Sequence, residues 1–325
     1  MDDIIIRNQL NNTLERTDFS ELGKKYEGKV RDNYTHGDKR FIITTDRISA
    51  FDRVLGTIPF KGQVLNQLAS FWFEKSRDVI DNHMSDTPDP NVMVVSECKP
   101  LPVEMVVRGY ITGVTKTSAW YNYSNSVRNL CGNVLPEGMK KDQKFDQPIL
   151  TPTTKGDHTK GEHDKNMSPD EIVSKGLVSK ELMDQLKEVS FRLFEMGQKA
   201  VAKQGLILVD TKYEFGLLNG KLVLMDEIHT PDSSRFWFAD SYQELFDKGE
   251  EQRKLDKEYV RTWLAQQGFR GDGTPPELTD DVRTEAAKRY IRAFEIITGQ
   301  KFEVIEKPVV ERMLFNLKSK GYLRS

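Results

Sequence analysis

Apolar residues recur along this chain with two periods, and the alternation between them sets out its elements. Leu65, Leu68, Ala69 and Trp72 stand three or four apart, which predicts a helix over Val64 to Ser76. Leu182, Leu186, Val189, Leu193, Met196 and Ala200 repeat the spacing over a longer helix, with Ser179 as its cap and Gly205 as its end. Ser168, Pro169 and Glu171 form a capping-box signature that opens a shorter helix. Near the carboxyl end Thr279 caps a run with Val282, Ala286, Tyr290, Ala293 and Ile297 inward and Gly299 as its stop.

Strand-like runs lie between these. Glu27 to Tyr34 and Arg40 to Asp46 flank a turn at Thr35 to Asp38. In VMVVSECKPLPVEMVVRGYITG, Pro100 and Pro102 divide two β-like runs, so a domain hinge is expected there. The strongest hairpin signal is LILVDTKYEFGLLNGKLVLMDEI, folded about Asn219–Gly220. Strands and helices without regular alternation favour an α+β fold, with a small β-rich unit over 1–101 and a larger α+β unit over 102–325.

Composition narrows the function. With 48 Lys+Arg against 50 Asp+Glu the net charge is −2, which disfavours a nucleic-acid or membrane-surface binder. No apolar run approaches the roughly 18 residues of a membrane helix. Acids stand where a signal peptide carries its positive charge, and Cys98 and Cys131 form no CxxC pair. A cytoplasmic protein with reduced thiols is expected.

Several segments carry chemistry. Gly23, Gly28 and Lys29 match G-x-x-x-x-G-K, but Val30 replaces the hydroxyl residue of a Walker loop and no buried strand precedes it. What remains is a glycine followed by Lys29 and Arg31, two apart on one strand face and suited to a polyanion. Taken alone, a solvated strand fits as well. In DRISAFD, Ser49 and Asp52 crowd a turn after a strand, a weak signal that also fits an ordinary turn. Arg108 ends an apolar strand with Ser118 nearby, and Arg235 follows a Pro-Asp-Ser-Ser turn; guanidinium forks and hydroxyls suit a phosphate monoester. Surface ion pairs would explain those arginines equally well.

The hairpin is most informative. Asp210, Lys212 and Glu214 alternate on one face of an apolar strand, and Asp226 lies on its partner. Such charges need either solvent or a cation and a polyanion around them. Glu214 and Asp226 supply the hard oxygens magnesium takes alongside substrate phosphates. A two-residue turn would put these two acids on opposite faces, so an odd-numbered loop or a bulge is expected; a plain turn would remove one ligand. The polar segment TPTTKGDHTKGEHDKN lacks the spacing of a zinc site and reads better as a loop that closes over substrate.

In their order and spacing GKVRD, DRISAFD, PLPVEMVVRGYITG, TPTTKGDHTKGEHD, LILVDTKYEFGL and MDEIHTPDSSRFW resemble the SAICAR synthetase family, in its longer, single-function form and without a fused second enzyme. The resemblance covers about Gly28 to Trp237. It implies a kinase-like β lobe and a larger lobe like that of ATP-grasp enzymes, with ATP between them. It implies ATP-dependent joining of L-aspartate to carboxyaminoimidazole ribonucleotide, giving the succinocarboxamide, ADP and phosphate. By the same resemblance Lys29, Val30 and Arg31 meet the ATP phosphates, although many relatives carry Lys where this chain has Arg31. The adenine falls against Glu97 to Leu101, with Lys99 and Leu101 as contacts. Glu214 and Asp226 hold Mg2+, Lys212 faces the reacting carboxylate and Asp210 is its neighbour. Arg108, Ser118 and Arg235 cradle the 5′-phosphate, Ser49 and Asp52 line the acceptor site, and His158 and Lys160 are candidates for aspartate. A monomer is expected. Another ATP-dependent ligase or kinase would lack the phosphate cradle, and a non-catalytic nucleotide-binding module would lack Lys212, Glu214 or Asp226.

Overall fold

The computed structural model describes residues 2–50, 53–154, 164–255, 258–269, 273–305 and 307–324. The chain opens with α1 (Asp3–Asn8), then β1 (Lys24–Glu27), β2 (Arg31–His36) and β3 (Lys39–Thr44). A separate hairpin of β4 (Arg47–Ala50) and β5 (Arg53–Thr57) leads into α2 (Lys61–Ser76), β6 (Met84–Asp89) and β7 (Val92–Ser96). The first sheet is antiparallel in the order β1-β2-β3-β7-β6. The second begins with β8 (Lys99–Tyr110), followed by α3 (Ala119–Ser124), the short β9 (Asn129–Leu130) and β10 (Asn133–Val134), β11 (Lys144–Leu150), β12 (Thr153–Thr154) and β13 (Lys165–Asn166). Helices α4 (Pro169–Ser174) and α5 (Lys180–Ala202) precede β14 (Leu206–Leu218), β15 (Lys221–Met225) and β16 (Ser234–Phe238). Last come α6 (Ala239–Lys248), α7 (Glu258–Gln266), α8 (Asp280–Thr298) and α9 (Val309–Ser319).

The fold is α+β. The second sheet runs β13-β12-β8-β14-β15, with β11 on β8 and β16 on β14. Its two long strands, β8 and β14, pair along most of their length and carry the site. Their inner face, with Met105, Val107, Tyr213 and Phe215, is buried in a continuous core beneath α5. That core reaches through α2 to the first sheet and out to α8. The outer side of the first sheet is covered by α9, where Met313 and Leu317 meet Tyr34, Phe41 and Val94. The carboxyl-terminal helices thus pack on the side of the first sheet: α8 on α1 and α2, α9 on β6. No described helix is long and apolar enough to cross a membrane.

The caps at Ser168, Ser179 and Thr279 form as expected, each accepting a backbone N–H of the first turn. Three expectations fail. Glu27 to Tyr34 is not one strand, because residues 28–30 turn between β1 and β2. Pro100 and Pro102 do not interrupt β8. Over residues 99–102 that strand pairs along one edge only, with β14, since β12 joins at Val103 and β11 further on. Prolines two apart lack their N–H on the same edge, and an unpaired edge tolerates this. The chain crosses between the sheets just before them, after Ser96. Finally, the hairpin loop is even: Leu218 pairs with Lys221 and Glu214 with Met225, closed by Asn219 and Gly220 at φ 53° and 80°.

Candidate functional site

The even turn, continued, would carry Asp226 to the face opposite Glu214. The ladder stops at Met225 instead, and Asp226 takes a left-handed backbone at φ 68°. Its carboxylate then meets the Arg31 guanidinium of the first sheet at 2.7 Å. Asp226, Glu227 and Glu214 together hold Arg31 well above its ordinary range, against an opposing effect of burial. The acids converge at the strand end, where no bulge was needed.

On the other face of the second sheet, charges stand in register. Asp210 is opposite Arg108, Lys212 opposite Val106 and Glu214 opposite Glu104. Like charges facing across strands repel. Here the Lys212 ammonium joins them, 2.7 Å from Glu104 Oε1 and 2.5 Å from Glu214 Oε1. Burial opposes the charge on Lys212, yet Glu214, Glu104 and Asp226 raise its pKa, so it is a fixed cation. Burial raises Glu104, partly offset by Lys212 and reinforced by Glu214, while the Thr153 hydroxyl donates to Oε2 at 3.0 Å.

Four residues along β8, about 13 Å at ~3.3 Å each, a cationic pocket forms. Asp210 is buried and bridges two arginines, 2.6 Å from Arg235 and 3.4 Å from Arg108. Arg108 also donates to Thr151 Oγ1 at 2.7 Å and to the Thr117 carbonyl at 3.1 Å. Ser118 caps α3 beside them and donates to the Thr115 carbonyl at 2.5 Å. Gly113, at φ 93°, lies between the groups: a Cβ there would fall 2.5 Å from Ser118 Cβ and 2.9 Å from both terminal nitrogens of Arg235.

Between the sheets a narrow cleft is lined by Val30 and Arg31, by apolar Ile42, Leu65 and Met93, and by Asp226 and Glu227. Lys29 sits in the turn beside it. Lys99 is exposed and Leu101 buried, and neither lines the cleft. Ser49 is half-buried on the β4–β5 hairpin, which pairs with neither large sheet. Asp52, His158 and Lys160 lie outside the described residues. Sequence reasoning missed Glu104, and noted Arg47 only as one of the polar residues crowding the DRISAFD turn, without a role. An isolated acid in the apolar run PVEMVV was the available signal for the first. What Arg47 does shows only in a bonding pattern visible once the chain is folded. Among the described residues no group of three or more His, Cys, Asp or Glu is placed to hold a metal. Two carboxylates from neighbouring strands suit magnesium, which fills its remaining positions with phosphate and water.

The SAICAR synthetase family model matches residues 24–278. The chain belongs to the SAICAR synthetase family. A phosphoribosylaminoimidazole-succinocarboxamide synthase of Legionella pneumophila (strain Lens) is 46% identical over 91% of this chain and 95% of its own. The solved SAICAR synthase of Saccharomyces cerevisiae, complexed with SAICAR, superposes with a TM-score of 0.78 at 31% identity, covering 90% of this chain and 100% of that one. A SAICAR synthetase in complex with ADP gives a TM-score of 0.64 at 25% identity, over 86% and 100%. The chain is accordingly a carbon–nitrogen ligase of purine biosynthesis.

Proposed function

We propose that the charged face of β8 and β14 holds carboxyaminoimidazole ribonucleotide along its length, phosphate at the arginines and carboxylate toward Lys212. ATP lies in the cleft, its phosphates against Lys29, Val30 and Arg31 and its adenine toward Lys99 and Leu101. A carboxylate resists nucleophiles, so its oxygen first takes the terminal phosphoryl group of ATP. The amine of L-aspartate then forms the C–N bond as phosphate leaves, and the amine's proton is lost. Lys212 offsets negative charge at the reacting carboxylate, with Asp210 fixing the neighbouring arginines. Arg108, Ser118 and Arg235 hold the 5′-phosphate. Glu214 and Asp226 are placed to hold Mg2+, which neutralises phosphate charge when bound. Ser49 and Asp52 line the acceptor site, and His158 and Lys160 approach aspartate. On this reading the enzyme works in the cytosol as a monomer, built as a lobe over 1–101 and a lobe over 102–325.

One observation carries the reading: a bridged pair of arginines and a lysine flanked by two acids stand on the same strand faces, in register. A kinase or another ligase has no need of the arginine end. The test is to follow ADP and the succinylated product while omitting ATP, Mg2+, the ribonucleotide or aspartate in turn. Arg108→Ala should raise the ribonucleotide's KM, whereas Glu214→Ala and Asp226→Ala should lower turnover and raise the Mg2+ requirement. Wild-type rates in Glu214→Ala would overturn the metal assignment.

A further inference from the structure

The reaction as drawn gives no task to Arg47, although its guanidinium is only 5% exposed. A buried cation is costly unless every donor finds a partner. The partners of Arg47 are unusual in being mostly main-chain carbonyls. Nε donates to the Lys29 carbonyl at 3.0 Å, and Nη2 to the Gly28 carbonyl at 2.9 Å. Nη2 also meets Asp32 Oδ1 at 2.8 Å, and Nη1 donates to the carbonyl of Glu15. The carbonyl of Val30 is held from the same side, by the Thr45 amide at 3.0 Å and the Thr45 hydroxyl at 2.8 Å. All three carbonyls of the turn between β1 and β2 therefore accept from residues 45 and 47. Asp32, buried behind them, is fixed in turn by the amide and hydroxyl of Thr17 at 2.7 and 2.9 Å and by Lys25 at 3.2 Å.

Orientation matters because a turn has two electrical faces. Its carbonyl oxygens repel an anion, and its N–H side attracts one. We propose that Arg47, with Asp32 and Thr45 behind it, is a positioning residue for the triphosphate: it turns three carbonyls of the 28–30 loop inward, away from the cleft that Val30 and Arg31 line. This rests on the reading that residues 29–31 hold the ATP phosphates. Arg47 touches no substrate. It fixes the loop in its anion-accepting orientation before ATP arrives, so the ordering is not charged against binding.

The experiment compares Arg47→Lys, Thr45→Val and Lys29→Ala with wild type in the full chain. It measures the Kd of ADP by calorimetry, the KM of ATP and of the ribonucleotide, kcat, and unfolding by urea. Arg47→Lys keeps a charge and loses the fork. It should weaken ADP and raise the KM of ATP about tenfold, the scale of one or two lost hydrogen bonds, with the ribonucleotide's KM within about twofold of wild type. Thr45→Val keeps the volume, loses one bond to Val30 and should shift the same two quantities about threefold. If both variants bind ADP as wild type does while Lys29→Ala binds it weakly, the positioning role is overturned. If both substrates' KM values rise in parallel with lost stability, Arg47 is merely structural and the proposal also falls. If Lys29→Ala itself leaves ADP affinity unchanged, the placement of the phosphates is what fails. Should Arg47→Lys not fold, Thr45→Val decides alone.

Discussion

Gly113→Ala isolates the phosphate end of the site with one added methyl group. Its Cβ would stand 2.5 Å from Ser118 Cβ and 2.9 Å from both terminal nitrogens of Arg235. Carbon atoms in contact rest about 3.5–4.0 Å apart, so both contacts must open, the one to Ser118 by about 1 Å. Ser118 is fixed at the start of α3 and bonded to Thr115. Arg235 is held mainly by Asp210 and is partly exposed, so it yields readily, while the shorter contact with Ser118 Cβ forces the start of α3 to shift as well. The backbone adds a second cost, since φ 93° suits glycine and strains any other residue by about 1–3 kcal/mol. Urea unfolding should therefore show a loss of that size. A misplacement of about 1 Å at a binding group costs up to 10²-fold, so the ribonucleotide's KM should rise by one to two orders of magnitude. The KM of ATP should remain near wild type, because its proposed site lies toward the first sheet. A variant that loses stability but keeps its ribonucleotide KM would refute the placement of the 5′-phosphate against Arg235.

Two further predictions concern the frame. Arg312 of α9 makes two 3.0 Å bonds to the buried Asp89 of β6 and one of 2.5 Å to Asn91. Arg312→Ala leaves that carboxylate buried with only neutral donors, the Asn91 amide and Asn316, so urea unfolding should show a loss of about 3–5 kcal/mol; under ~1 kcal/mol would show that the pair is not what fastens α9. His83 is buried, and burial, with Arg31 and Arg40 nearby, lowers its pKa to about 3. The unfolded chain takes up this proton near pH 6.5 and the folded one does not, so the contribution is complete above about pH 6.5 and is lost as pH falls toward 3. Between those limits His83→Gln should flatten the slope of stability against pH by about 1.4 kcal/mol per unit; parallel slopes would show that His83 protonates within the fold.

Much of this architecture was legible because its determinants are local. The Ser168–Glu171 box, the Ser179 and Thr279 caps and the helical stripe of α5 need no knowledge of distant segments. Asp210, Lys212 and Glu214 could be placed on one face because strand periodicity is also local. What stayed hidden depends on pairing. Glu104 gains its meaning only from lying opposite Glu214, 110 positions away in sequence. The prolines of β8 looked disruptive because sequence does not tell which edge of a strand is paired. The loop of the hairpin was misjudged for a related reason. Convergence of Glu214 and Asp226 was sought in the turn, where composition offered Asn219–Gly220, while the chain achieved it with one left-handed residue at the strand's other end.

The way these charges balance bears on binding itself. Asp210 answers Arg108 and Arg235, Lys212 answers Glu104 and Glu214, and Asp226 answers Arg31 across the gap between the sheets. Each group is held in place by a partner of opposite sign, and every pair except Lys212–Glu214 joins different elements. On the proposed placement, a phosphate arriving at the arginines would join a cluster already desolvated and oriented, sharing two cations with Asp210. Much of the cost of ordering long side chains then falls on folding. The same logic explains why Lys212 is kept charged: without it, Glu104 and Glu214 would face each other across the ladder at the point where the proposed reaction would use both a cation and a metal-binding acid. The acids steady the lysine, the lysine permits the acids, and the pair of strands can carry both through folding without a ligand.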